Sequence, residues 1–353
     1  MTRPLVAVIP GDDAAPEAMT AAMTVLRHLD PPVDWDELPP GAELAHIDPV
    51  EREAMVRKRI DAADTVLFGS TNGTTPGVEY MRWGRHTFAN VRPIRWRPGY
   101  RSPLAHPEGI DYVIVRENLE DAYVGIMGEV AALRDSGLIG PRARLVNEGE
   151  GRFAAKVITR AGTEQVARFA FDLAVQRRRS GRAGKLTVSA KTNMLPMTDR
   201  WFCEIVREVG RAYPDIEIEQ YIVDDMAHRL VLRPHELDVL LLPNLYGDVL
   251  SDEGAATIGG LGLAPSGCYG DDFAYFESAH GTAPDIAGRD LINPTATLLS
   301  AVMLLDHLGL ADPARRLEDA VATVYSDGKV LPTDQGGTSG TTEFAAAVAD
   351  ALG

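Results

Sequence analysis

A chain of 353 residues, 45% hydrophobic and 24% charged, is long enough for two domains and has the composition of a soluble globular protein. Its net charge of −16 argues against general affinity for nucleic acid or acidic membranes, so an acidic ligand would need a local cluster of arginines. No apolar run reaches bilayer-spanning length, no charged-then-apolar leader opens the chain, and Cys203 and Cys268 lack ligand spacing. The expectation is a cytoplasmic protein without membrane contact, disulfide framework or zinc site.

In chain order, Leu5-Val6-Ala7-Val8-Ile9 reads as a strand, Pro10-Gly11-Asp12-Asp13 as a turn, and 16–29 as a helix with Pro16 in its first turn. Asp48-Pro49-Val50-Glu51 has the cap, proline and acidic residue of a helix start, and that helix runs to about residue 63. Thr65-Val66-Leu67-Phe68-Gly69 is the next strand, and the β-α-β rhythm predicts a mostly parallel sheet covered by helices. A polar loop over 70–77 leads to a helix over 78–88 and then to Asn90-Val91-Arg92-Pro93. Pro98, Gly99, Pro103 and Pro107 break the chain, and a domain crossing is placed there. Residues 110–116 form a strand, while 126–150 lack a clear period and are expected to make a hairpin-like excursion used for subunit contact. Beyond it come a helix over 159–177, a strand over 185–190 ending at Lys191, a helix over 199–213, a strand over 216–222 and a helix beginning near Asp224. Val239-Leu240-Leu241-Leu242 is a buried strand, residues 258–274 are glycine-rich, and helices follow at 294–308, 313–325 and 342–352.

Several residues could carry chemistry. Asp248 and Asp252 are four apart, so a helix turns both carboxylates to one side, where they suit a hard cation such as Mg²⁺ or Mn²⁺. The alternative is that Asp248 caps the helix and Asp252 sits in its first turn. Asp224 and Asp225 open a helix, where they either cap it or supply, through one of the two, a third carboxylate for the cation. Arg82, Arg92 and Arg116 lie at the ends or edges of separate elements, and guanidinium groups bind carboxylates by paired, charge-assisted hydrogen bonds. Lys191 stands just past a strand, where it could act as a base, and the Tyr123 phenol could give or take a proton. Small residues from His280 to Gly288 let a ligand touch the backbone, and Asp285 could bond a ribose 2′-hydroxyl. No G-x-G-x-x-G follows an N-terminal strand, so the usual Rossmann dinucleotide fold is not indicated.

Taken together, Ile9-Pro10-Gly11-Asp12, Asn90-Val91-Arg92-Pro93, Arg116-Glu117-Asn118 with Tyr123, Lys191-Thr192-Asn193, Asn244-Leu245-Tyr246-Gly247-Asp248 with Ser251-Asp252, and His280 to Gly288 with Asn293-Pro294 resemble the β-decarboxylating dehydrogenase family. That family includes isocitrate, 3-isopropylmalate, homoisocitrate and D-malate/tartrate dehydrogenases, and the match spans nearly the whole chain. The resemblance implies an isopropylmalate dehydrogenase-like α/β fold, with two α/β domains around a central cleft. Residues 1–99 and 255–353 would form the cofactor-binding domain, and 100–254 the substrate, metal and dimerisation domain. It implies that Arg82, Arg92 and Arg116 hold the substrate carboxylates, that Asp224, Asp248 and Asp252 bind Mg²⁺ or Mn²⁺, and that Lys191 and Tyr123 are the catalytic acid–base pair. His280, Gly281, Ala283, Asp285, Ile286 and Asn293 would bind the cofactor. NADP-using relatives carry a lysine and a tyrosine at the positions of Asp285 and Ile286, which makes NAD the expected cofactor. Lys191 and Asp224 would reach the neighbouring subunit's site, which implies a homodimer.

Two departures stand out. Relatives commonly read Gly-Asp-Gly-Ile-Gly-Pro-Glu near the N-terminus, whereas this chain reads Gly11-Asp12-Asp13-Ala14-Ala15-Pro16-Glu17, which bears on the turn and on cofactor affinity. The segment before Arg82 is short and carries Glu79, which opposes a third substrate carboxylate. Together with Arg101-Ser102-Pro103-Leu104-Ala105, this favours D-malate, tartrate or a 3-substituted malate over isocitrate, homoisocitrate or 3-isopropylmalate. A catalytically silent, ligand-binding homologue is the competing reading, and the presence of Lys191, Tyr123 and all three aspartates weighs against it.

Overall fold

In the computed structural model, residues 3–137 and 149–353 are described. β1 (Leu5–Ile9) leads into α1 (Ala15–Leu29), β2 (Asp34–Glu37), the single-turn α2 (Gly41–Leu44) and α3 (Pro49–Ala62). Asp48 caps α3 by accepting from the Val50 and Glu51 amides, as its motif predicts. β3 (Thr65–Phe68) is followed not by a regular helix over 78–88 but by a short π-helical turn, Tyr80–Gly84, with the Arg85 amide bonded to the Tyr80 carbonyl at 2.8 Å. β4 (Ala89–Arg95) and β5 (Asp111–Glu117) come next. β6 (Met127–Glu129) and α4 (Val130–Ser136) lead toward β7 (Arg152–Ala154), which pairs antiparallel with β6 as a separate small sheet. That pair forms the base of the expected excursion, of which residues 138–148 lie outside the described residues.

α5 (Arg160–Arg179) is capped by Thr159 and precedes β8 (Lys185–Ala190). A π-helical turn (Pro196–Arg200) runs into α6 (Trp201–Gly210). β9 (Glu217–Ile222), α7 (Val223–Leu232), β10 (Val239–Leu242) and α8 (Asn244–Ile258) complete this stretch. β11 (Pro265–Tyr269), β12 (Ala274–Ser278), α9 (Thr295–His307), α10 (Ala311–Asp327) and α11 (Thr341–Leu352) close the fold. Among the described residues no helix is long and apolar enough to cross a membrane.

Among the described residues, ten strands form one sheet in the order β2-β1-β3-β12-β11-β4-β5-β10-β8-β9. β3 and β10 are buried at every residue, as unbroken apolar runs are when helices cover both faces of parallel strands. The sheet is mixed, however: β11 runs antiparallel to both β12 and β4, and β4 runs antiparallel to β5. The parallel block β2-β1-β3-β12 therefore runs opposite to the parallel block β5-β10-β8-β9. The strands on one side of the β4–β5 seam come from residues before 100 and after 254, and those on the other side from the residues between.

Side chains alternate along β4 and β5, so Arg92, Ile94, Tyr112 and Arg116 share a face, and α8 lies on it. Two glycines allow that approach. A Cβ at Gly247 would stand 2.6 Å from the Arg116 Cβ, and one at Gly254 would stand 2.8 Å from the Tyr112 Oη. The main apolar core crosses the seam through Ile94, Tyr112, Ile114 and Leu240, so α8 is held rigidly against both sides.

Candidate active site

α8 begins at Asn244, directly after Pro243 at the cap position, so Asp248 lies in its second turn and does not cap it. Asn244-Leu245-Tyr246-Gly247 is turn-like in composition, yet it is already helical, and this overturns the capping alternative. Asn244, Asp248, Ser251 and Asp252 recur at helical spacing and share one stripe of α8. That stripe meets the two strand arginines.

Arg116, 3% exposed, donates Nε to Asn244 Oδ1 at 2.9 Å and pairs through Nη1 with Asp248. Arg92, 7% exposed, donates Nε to Asn90 Oδ1 at 3.0 Å, and Nη1 to Ser251 Oγ at 2.6 Å and Asp252 Oδ1 at 3.2 Å. Arg82 donates Nε to the Asn118 carbonyl at 2.6 Å and Nη2 to Asn244 Oδ1 at 3.1 Å. The Tyr123 hydroxyl donates to Asp248 Oδ2 at 2.6 Å, and its ring lies 5.3 Å and 5.2 Å from the Arg82 and Arg116 guanidinium carbons. Three guanidiniums, two carboxylates and a phenol from five separate segments thus converge on one place.

The charges adjust to one another. Burial, and then the neighbouring Arg82 and Arg92, lower Arg116 to about 10 against the pull of Asp248, so it stays charged at neutral pH. Burial raises Asp248, but Arg116, Tyr123 and Arg92 outweigh it and hold the carboxyl below its ordinary range. Burial leaves Asp252 above its ordinary range despite Arg92. Burial and the Asp248 carboxylate raise Tyr123, so its phenol keeps its proton.

Lys191 is elsewhere. It follows β8, its Nζ pairs with Asp224 in the first turn of α7, and the two side chains are 31% and 65% exposed. Asp225 turns away to Arg229 at 2.9 Å. Among the described residues no three His, Cys, Asp or Glu side chains stand together as a metal cluster. One chain therefore does not bring Asp224 to Asp248 and Asp252.

The cofactor candidates border a cavity of about 380 Å³ that includes His280, Gly281, Ala283, Ile286 and Asn293. His280 Nδ1 faces the Gly281 carbonyl at 2.8 Å, so Nδ1 carries the ring proton, while Nε2 is buried without a partner among the described residues. Burial lowers the His280 pKa and keeps the ring neutral, leaving Nε2 as an open acceptor. Asn293 donates Nδ2 to Asp334 at 3.1 Å, and its Oδ1 accepts from the Thr295 amide at 3.0 Å, so it shapes the wall. Asp285 is exposed in the turn Pro284–Ile286 and does not line the cavity. The altered N-terminal turn is kept: Gly11 has φ +82°, where a Cβ would clash with the Ser70 carbonyl, and Asp13 itself adopts φ +54°. Asn72 Nδ2 supports the Asp13 carboxylate at 3.1 Å.

Asn244, Asn90, Ser251 and Asn118 stand inside the quoted motifs, but sequence reasoning gave them no role, and they are the residues that aim the arginines. Their spacing offered a signal only in α8, where Asn244 stands one turn before Asp248. Nor did it assign a role to Asp12, which is buried and accepts from Thr71, Asn72 and Thr75 to shape the 70–77 loop.

The family model described as isocitrate/isopropylmalate dehydrogenase matches residues 5–348. A 3-isopropylmalate/3-methylmalate dehydrogenase of Methanocaldococcus jannaschii is 38% identical over 98% of this chain and 97% of its own length. The isocitrate dehydrogenase [NAD] subunit alpha, mitochondrial, of Bos taurus is 36% identical over 96% of this chain and 88% of its own. The crystal structure of isocitrate dehydrogenase from Methylococcus capsulatus superposes with a TM-score of 0.86 at 35% identity, covering 99% of both chains, so the fold is the isopropylmalate dehydrogenase-like one. Matched along its length in sequence and in fold, the chain belongs to the isocitrate/isopropylmalate dehydrogenase family and is an enzyme of that decarboxylating dehydrogenase class.

Proposed function

We propose that this protein oxidises and decarboxylates a 3-substituted malate, with NAD as hydride acceptor and a bound Mg²⁺ or Mn²⁺. The observation that carries the reading is the convergence of Arg82, Arg92 and Arg116 on Asp248 and Tyr123. The two carboxylates of a malate core match three guanidiniums on an otherwise acidic protein. Relatives named for 3-isopropylmalate, 3-methylmalate and isocitrate favour the substituted malates over D-malate or tartrate. Between them we favour an alkyl substituent. Trp83, 42% exposed with its ring 4.8 Å from the Arg82 guanidinium carbon, offers an apolar face. Exposed Glu79 disfavours a third carboxylate. Isocitrate is the second reading, supported by the bovine relative's name.

The residues fit both cofactors. Asp248 and Asp252 are hard oxygen donors on one side of a rigid helix, and Asp224 of a second copy would complete the metal set. When bound, the cation would supply Lewis acidity at the substrate's C2 oxygen. NAD would lie with its adenosine end in the His280 cavity, where the open Nε2 acceptor suits an exocyclic amine. Residues 1–99 and 255–353 would then be the cofactor side of the β4–β5 seam, and 100–254 the substrate side. The arginines orient the substrate, Lys191 takes the C2 hydroxyl proton, and Tyr123, held protonated beside Asp248, returns a proton to C3 after CO₂ leaves.

The proposed assembly is a homodimer with shared sites. Met194 and Met197 beyond Lys191, Leu232 on α7 and Val249 on α8 are 62%, 85%, 64% and 61% exposed. Such apolar side chains beside an incomplete charged site suit a second copy of the chain. The test is NADH formation across 3-isopropylmalate, 3-methylmalate, isocitrate, homoisocitrate, D-malate and tartrate, with NAD⁺ and Mn²⁺. The 3-alkylmalates should give the highest kcat/KM and EDTA should abolish it, whereas no turnover on any of them contradicts the proposal.

A further inference from the structure

Behind the Lys191 turn lies an ion cluster that the chemistry above leaves unused. Lys156, between β7 and α5, places Nζ 2.7 Å from Asp199 Oδ1, 3.3 Å from Asp121 Oδ1 and 4.2 Å from the centre of the Tyr246 ring. These are ion pairs and a cation–π contact, not aligned hydrogen bonds. Asp121 and Asp199 are each 0% exposed. Their outer oxygens reach two functional segments: Asp199 Oδ2 accepts the Lys191 amide at 2.8 Å, and Asp121 Oδ2 accepts the Leu245 amide, in the first turn of α8, at 3.0 Å. Asp121 also adopts φ +64°, a conformation that non-glycine residues hold only when their surroundings fix it.

Buried charges persist when they are paired, and removing one partner strands the others. Among the described residues, the side chain of Lys191 has one charged contact, Asp224, at the surface, where such pairs contribute little. Its aim therefore depends on its backbone, which is held by Asp199, which is held by Lys156. We propose that Lys156 and Asp199 are positioning residues for Lys191, and that Asp121 anchors them to the helix that carries Asp248. This inference rests on the reading of Lys191 as the base. Because a displacement of about 1 Å at a reacting group can lower a rate on the order of 100-fold, loosening this chain of contacts should act on turnover and not on substrate binding.

The test uses the full chain and the panel substrate with the highest kcat/KM. Lys156→Met should lower kcat about 10- to 100-fold with KM within about twofold, and Lys156→Arg should restore most of it. Lys156→Met strands two carboxylates and can fail to fold, so Asp199→Asn provides an independent arm. Its single acceptor oxygen cannot serve both Lys156 and the Lys191 amide, and it should show the same split between kcat and KM. Hydrogen exchange at the Lys191 amide reads the anchoring without turnover. It should quicken in Lys156→Met and Asp199→Asn, and stay slow in Lys156→Arg. Wild-type kcat and unchanged exchange in Asp199→Asn overturn the proposal, as do kcat and substrate affinity falling in step. Lys191→Ala separates the two claims: if it stays fully active the base assignment is wrong, and if it is inactive while Asp199→Asn is not, the positioning role alone is wrong.

Discussion

The two regions proposed to carry this chemistry are built on opposite plans. The arginine cluster is internal: Arg92 and Arg116 are almost fully buried, each has carboxylate or amide partners, and α8 is locked against the strands that carry them. The Lys191–Asp224 pair stands at the surface near the exposed Met194 and Met197, and a buried triad holds its backbone. The first region still needs a substrate, a cation and a third carboxylate from outside the chain, whereas the second is a surface feature whose backbone is held from behind. That difference is what the proposed dimer requires, in which each copy contributes one finished half of a shared site.

The largest expected effect tests the exposed half. Lys191→Ala should lower kcat by about 10²- to 10⁴-fold in a steady-state NADH assay while circular dichroism stays unchanged, the span expected for loss of a general base. Full activity would remove the exposed half from the chemistry.

A smaller effect tests the internal half. The Asp248 carboxyl is held below its ordinary value of 3.8, so the folded state binds fewer protons than the unfolded state near that pH. Its stabilisation is present above about pH 4 and lost as pH falls through the folded value. Asp248→Asn should therefore cost about 1–2 kcal/mol in urea melts at pH 7, after allowing for a side chain one-third exposed, and the difference should shrink near pH 3. An equal difference at both pH values would deny that the arginines hold it ionised.

How much of this was legible varies with the residues. The parallel blocks could be read directly: Val66-Leu67-Phe68 and Val239-Leu240-Leu241-Leu242 are apolar runs with no alternation, and the cap Asp48 marks its helix. β11 and β12 escape such a reading because Pro265-Ser266-Gly267 resembles loop, and its pairing comes from β4 and β12, which local pattern does not reveal. β2, with Asp34-Trp35-Asp36-Glu37, is a four-residue edge strand without an apolar run. The site arginines and aspartates stand out because several motifs occur together. The aiming role of the asparagines in those same motifs does not, because an Asn is more often a turn residue. The role of Lys191 at a neighbouring subunit's site comes from family resemblance and not from local pattern.

The smallest effect concerns the N-terminal turn, which neither half of the site touches. Asp13→Gly relieves a left-handed residue but loses the Asn72 contact, so thermal denaturation should show a change under about 1 kcal/mol. A large loss would mean that the Asp13 carboxylate holds the 70–77 loop.

The shared-site claim is tested most directly by mixed dimers. Lys191→Ala and Asp252→Asn chains should each be inactive alone. A purified heterodimer of the two keeps one complete site, with Asp252 from the first chain and Lys191 from the second, and should recover about half the wild-type kcat per dimer. A heterodimer no more active than its parents would contradict the account.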